Sequence, residues 1–267
     1  MVSIVLAACL VSAQSGPAVH LLRFHPAIGL RLTREFRLET RVQVDSAGTT
    51  RTREAEARGR MQQVAAQGYA GTTVLHLALD SVTVRERDNA MPWSDARPYV
   101  GGWRQIEVDD RLTARVTGAQ GPQTATRLLE WMAVGLAHLV FPERAVRRGA
   151  EWRQWIRVPR GLPKLPDGPW LDIPVRVVVR LDSIAATDRD SLFYFDVRGE
   201  GMAVDARAAT APDELGVAAT LVWSRGWSAY VAQAVRIEVA SEGAAPGGDW
   251  VRASLSTVLQ SRARSIP

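Results

Sequence analysis

The sequence predicts a mainly β protein, a long-stranded antiparallel sheet arranged as a half-barrel or as two facing meanders, with one central amphipathic helix. Three observations carry that expectation. Between Leu30 and Val44 the residues alternate, with Leu30, Leu32, Arg34, Phe36, Leu38, Thr40, Val42 and Val44 on one side and Arg31, Thr33, Glu35, Arg37, Glu39, Arg41 and Gln43 on the other. Side chains of a strand point to opposite faces in turn, so one face is apolar apart from Arg34 and Thr40 and the other is solvated and mixed in charge. Further strand-like segments recur as far as Leu259, and a single stretch between them, Thr124 to Val140, carries helical spacing.

At about 3.3 Å per residue the first strand extends about 50 Å, well beyond the common strand. Asp45-Ser46-Ala47-Gly48 supplies the turn after it. Within Thr49 to Ala66 the run Glu54-Ala55-Glu56-Ala57-Arg58 favours helix by propensity. Gly59 costs a helix about 1 kcal/mol, and a hairpin returning on the first strand is the expectation. Thr72 to Val84 is again a strand, with Leu75, Leu77 and Leu79 on one face and Val74, His76 and Ala78 on the other. Pro92, Pro98 and Gly101-Gly102 make Met91 to Trp103 a loop.

The helix follows. Leu128, Leu129, Met132, Leu136 and Leu139 recur at spacings of three and four, Thr124 suits the N-cap, and Pro142 bars continuation. Five of the fourteen prolines, Pro159, Pro163, Pro166, Pro169 and Pro174, then mark an irregular excursion. Strands resume at Val175 to Ile184 and Ser191 to Arg198, followed by a hairpin of Gly216 to Trp223 with Ser228 to Val239 around Ser224-Arg225-Gly226, and by Trp250 to Leu259. The implied organisation is an export signal over 1–13, a first β-meander over 23–120, a connecting helix over 122–140, a second β-meander over 141–259 and a tail over 260–267.

Composition narrows the function. The 267 residues are 46% hydrophobic and 23% charged, which is ordinary for a globular protein and enough for a sizeable core. The formal charge is +5, but every basic residue except Lys164 is arginine, and the arginines are interspersed with acids, as in Arg34, Glu35, Arg37, Glu39 and Arg41. That pattern reads as codon bias, and nucleic acid is not expected as a partner.

Val2 to Val11 is an apolar run followed by Ser12-Ala13-Gln14-Ser15, the pattern of an export signal, and it is too short to span a bilayer. An ordinary signal opens on a basic residue, and none precedes Arg23; a start upstream of Met1 would supply one. Two processing routes compete: cleavage before Gln14 after Val11-Ser12-Ala13, or lipidation of Cys9 within Leu6-Ala7-Ala8-Cys9. Cys9 is the only cysteine, so the remaining chain has no disulfide, thiol nucleophile or Cys-containing zinc cage. No other apolar stretch reaches transmembrane length, and the expected location is extracytoplasmic: periplasmic or secreted, lipid-anchored if Cys9 is modified.

Two patterns occur once in each half. Leu75-His76-Leu77-Ala78-Leu79-Asp80-Ser81-Val82 matches Val177-Val178-Val179-Arg180-Leu181-Asp182-Ser183-Ile184, and Phe24, Pro26 and Gly29 match Phe141, Pro142 and Gly149. The separations within the halves differ, so a duplicated meander is an expectation only. The helix followed by Phe141-Pro142-Glu143-Arg144-Ala145-Val146-Arg147-Arg148-Gly149-Ala150-Glu151-Trp152, then strands with Leu181-Asp182-Ser183-Ile184, resembles the Pro-x-x-x-Val-x-x-Gly-x-x-Trp signature of exported bacterial proteins of unknown function in the family DUF6263. The resemblance covers roughly Arg23 to Leu259 and departs from the pattern where Leu30 and Leu32 follow Gly29 without an aromatic residue. It implies architecture and export, and no activity.

No catalytic constellation emerges. His20, His25, His76 and His138 share no ligand spacing, so no metal or other cofactor is expected. Asp80-Ser81 and Asp182-Ser183 lack a Gly-x-Ser-x-Gly elbow and read as backbone-capping pairs; Asp109-Asp110 and Asp188 with Asp190 read as turn residues. Of the nine tryptophans, Trp152, Trp155 and Trp223 are expected to cap the core at strand entries. Trp93, Trp103 and Trp170 fall in segments read as loops and are the candidate ligand contacts. The expectation is a non-enzymatic module binding a lipid or other hydrophobic envelope ligand, with a structural or protein-interaction β domain of filled core as the alternative. By fold-level analogy, a bent sheet with a helix on its concave side looks like the periplasmic lipoprotein carriers.

Overall fold

A computed structural model describes residues 18–46, 48–89, 91–95, 97–99, 102–121, 139–160, 171–188, 190–203, 213–244 and 250–265. Its twelve strands are β1 (Arg31–Ser46), β2 (Thr49–Gln67), β3 (Thr73–Asp88), β4 (Arg97–Tyr99), β5 (Trp103–Val108), β6 (Ala114–Gln120), β7 (Glu151–Arg160), β8 (Leu171–Ala186), β9 (Ser191–Ala203), β10 (Asp213–Ser224), β11 (Ala229–Ala244) and β12 (Trp250–Ser265). Eleven follow one antiparallel path, β6-β5-β3-β2-β1-β12-β11-β10-β9-β8-β7, and short β4 adds to β3. Apart from β3–β5, which skips that short strand, neighbours in the sheet are neighbours in the chain until β1 meets β12. The two ends of the chain therefore pair, and the sheet stays unclosed between β6 and β7 in the middle of the sequence.

The mainly β expectation holds, and the alternation of β1 is the reason. Leu32, Arg34, Phe36, Leu38 and Thr40 are all buried, while Arg31, Glu35, Arg37 and Arg41 are exposed. The expected helix over 122–140 falls almost wholly outside the described residues; Leu139 and Val140, which are described, are not helical, and among the described residues the only helical turn is Tyr69–Gly71. The expected tail over 260–267 is corrected. β12 runs to Ser265 and pairs with β1 from Val251 to Ser265, because Ser261 and Ala263 alternate inward with Arg262 and Arg264 outward.

The local repeat becomes physical. Phe24 N–H donates to Asp110 O and Phe141 N–H to Arg111 O; Gly29 bonds Ala65 and Gly149 bonds Leu181, and those partners return a bond to Leu30 and Ala150. Both glycines have positive φ, 84° and 81°, where a side chain is strained. Each half thus enters its first strand through the same turn, anchored on the second. The Leu-Asp-Ser match has a different meaning: the register skips Asp80 between β2 and β3 and Asp182 between β8 and β9, so both aspartates are the extra residue of a β-bulge. Bulges bend and twist the bulged strand, which is what a curling sheet requires.

One hydrophobic cluster fills the inner face. At one end, rings from distant segments meet: Trp223 lies 5.0 Å from Phe141, 4.9 Å from Tyr230 and 6.0 Å from Phe24 between ring centres. Leu22, Leu112, Leu139 and Val146 are buried with them. At the other end the inward residues Val42 and Val44 of β1 and Ala253 and Leu255 of β12 are only half-buried.

Candidate functional site

The inner face carries one strong exception to its apolar pattern. Arg34 is 1% exposed. Its Nη2 donates to the Tyr230 carbonyl at 2.7 Å and its Nη1 to Ser261 Oγ at 3.4 Å, reaching from β1 across β12 to β11. Ser261 Oγ donates in turn to Gln233 Oε1 at 3.2 Å. Among the described residues no carboxylate faces Arg34, and burial pushes its pKa down to about 10, which still leaves it charged at neutral pH. Arg34 Nε, Gln63 Oε1, Gln233 Nε2 and the Tyr230 hydroxyl are buried without a hydrogen-bond partner, and burial raises the Tyr230 pKa well above its ordinary value. An interior normally satisfies such atoms, because each one left unpaired costs about 1–3 kcal/mol.

The sequence singled out Arg34 as a break in the apolar stripe. Its companions Tyr230, Gln233 and Ser261 lie some two hundred residues further on, and no local pattern marks them.

The candidate tryptophans lie elsewhere. Trp93 sits on the outer face with the guanidinium carbons of Arg85 and Arg87 each 4.8 Å from its ring centre. Trp103 is the first residue of β5 and not part of a loop, and β5 pairs with β3. Its neighbour Arg104 turns inward, so Trp103 points outward, 41% exposed, with Nε1–H donating to Gln120 Oε1 at 2.7 Å and its ring over Gly118. Neither ring approaches the Arg34 cluster. Trp170 and Cys9 lie outside the described residues. Of the tryptophans expected in the core, Trp223 is 2% exposed and Trp152 is half-buried, its N–H donating to Val140 O at 3.1 Å. Trp155 is corrected: it is 65% exposed, because it lies three residues from Trp152 and so on the opposite face of β7.

The outer face of β1 to β3 is an ion-pair field. Glu56, 3% exposed, accepts Arg37 Nε at 2.7 Å and Arg58 Nε at 2.6 Å, and also binds Arg85. Burial alone would raise its pKa, but hydrogen bonds from Arg58 and Arg85 and the charges of Arg37 and Arg58 hold it below the ordinary value. Arg87 pairs with Glu54. A cavity of about 370 Å³ lies over this network beside Trp93.

The acids read as turn residues behave as such. Asp109 accepts the backbone N–H groups of Arg111 and Thr113, and Asp190 accepts those of Ser191 and Gly226 while bonding Ser224 Oγ. His20 packs edge-on against Phe193, and among the described residues no group of three or more metal-ligating side chains converges. No helix of the described residues is long and apolar enough to cross a membrane. Compared with known proteins, the chain matches no family model and no curated protein.

Proposed function

We propose that the chain is an exported, non-enzymatic module of the bacterial envelope that holds a hydrophobic ligand with a polar head against the inner face of its sheet. The observation that carries this reading is Arg34, a charged guanidinium buried on the apolar inner face with no carboxylate facing it among the described residues, its own Nε and the Nε2 of Gln233, linked to it through Ser261, left unpaired. A buried charge is costly unless something pairs it. An anionic or strongly polar headgroup supplies that pairing while its apolar tail meets the half-buried Val42, Val44 and Leu255. The signal-like pattern of residues 1–13 and the resemblance to DUF6263 agree with the exported part of this reading.

The alternative is a structural or protein-interaction domain with a filled core. It draws on the contiguity of the hydrophobic cluster, which runs from Leu75 and Ile106 in one half to Val177 and Leu221 in the other. Titration with dansyl-undecanoic acid separates the two. The ligand-binding reading expects saturable fluorescence enhancement that weakens at least tenfold in Arg34→Gln, a substitution that removes the charge and keeps donors. Absence of saturable binding, or equal binding by the variant, contradicts it.

A further inference from the structure

The outer faces of the two half-sheets treat arginine differently. On β1 to β3, Arg37, Arg58, Arg85 and Arg87 each meet a glutamate. On β7 to β9 a concavity of about 570 Å³ is lined, among the described residues, by Arg153, Arg176, Val178, Arg198 and Gly199, three guanidinium groups with no carboxylate. Arg198 bridges Asp196 at 2.9 Å, while among the described residues neither Arg153 nor Arg176 forms an ion pair. The register explains the cluster. Arg153 and Arg198 flank Val178 from either side, and Arg176 stands opposite Trp155, the most exposed of the tryptophans among the large apolar side chains left at the surface.

We propose that this face docks on an anionic lipid bilayer, with Arg153, Arg176 and Arg198 taking phosphate-bearing headgroups and Trp155 seated at the water–lipid interface. Guanidinium forks match phosphate oxygens in geometry and charge. An exposed indole beside them is the side chain that an interface favours, apolar in its body and polar at its N–H. The concavity opens to solvent on the outer face of the sheet, and Val178 and Gly199 give the arginines a low floor on which a headgroup can approach all three. This docking is independent of any ligand held inside the sheet.

The test is co-flotation of the full chain, carrying Cys9→Ser so that acylation cannot contribute, with vesicles of phosphatidylcholine alone or with about a third phosphatidylglycerol. Stronger flotation with the anionic vesicles is expected. Each arginine near such a surface contributes enough that removing all three reduces partitioning on the order of a hundredfold. The variant Arg153→Gln/Arg176→Gln/Arg198→Gln should therefore lose the anionic preference with its circular dichroism unchanged, whereas Arg41→Gln/Arg87→Gln on the opposite half should keep it. Equal flotation with both vesicles, an unaffected triple variant, or equal loss in the control double variant would each overturn the proposal.

Discussion

The two halves of the sheet hold themselves together by different means. In the second half the rings are inside, Trp152, Phe193, Phe195, Trp223 and Tyr230, and of the arginines outside around Val178 only Arg198 meets an acid, Asp196, among the described residues. In the first half the interior is mostly aliphatic, Leu32, Leu38, Met61, Leu75, Leu77 and Ile106 with Phe24 and Phe36, and much of the order lies outside, in the ion pairs around Glu56 and Glu54. The same residue type is structural on one half and spare on the other. Counting arginines therefore says little; which carboxylate each one faces decides its role.

That contrast ranks the expected effects of substitution. Trp223→Ala removes the ring shared by Phe24, Phe141 and Tyr230 and should cost about 3–5 kcal/mol in urea denaturation. A loss under 1 kcal/mol would mean that the ring cluster is not what secures that end. Gly59→Ala tests the first half's interior, since the new Cβ would sit 2.5 Å from the Ser81 carbonyl and 2.6 Å from the Phe36 ring. Overpacking of this kind should lower stability by about 1–3 kcal/mol, read as a fall in Tm.

Glu56→Gln probes the outer network and should cost about 1–2 kcal/mol, because its partners are half-exposed and partly water-screened. Since the folded carboxyl titrates below its ordinary value, the stability it contributes is present above the unfolded pKa near 4.3 and is lost as the pH falls through the lower folded pKa. The wild type should lose more stability than the variant on acidification through that window, and parallel pH profiles would remove Glu56 from the account. Trp155→Ala, at an exposed position, should change stability by no more than about 0.5 kcal/mol. A larger cost would show that β7 packs its outer face against something.

What was legible in the sequence follows the length of each local pattern. The alternation of β1 was long enough to fix both the strand and its inward face, Arg34 included. The dense arginines after Leu259 hide the end of β12, although the same alternation continues through Ala263. The repeat was visible while its meaning was not. Leu-Asp-Ser falls on the third strand of one half and the second strand of the other, so its unequal offsets from Gly29 and Gly149 reflect a common bulge on non-equivalent strands. The large ring alone suggests the core for both Trp152 and Trp155, but a pair three apart on a strand cannot share a face. The site was least legible of all. Arg34 stood out alone, and only the pairing of β1 with β12 brings Tyr230, Gln233 and Ser261 to it.

The most direct examination of a ligand-holding interior is native mass spectrometry of the protein released gently from the cells that make it. The account predicts a population heavier than the polypeptide by one lipid-sized mass, depleted in Arg34→Gln while the fold is kept. A bare chain in every preparation, with Arg34 intact, would contradict it.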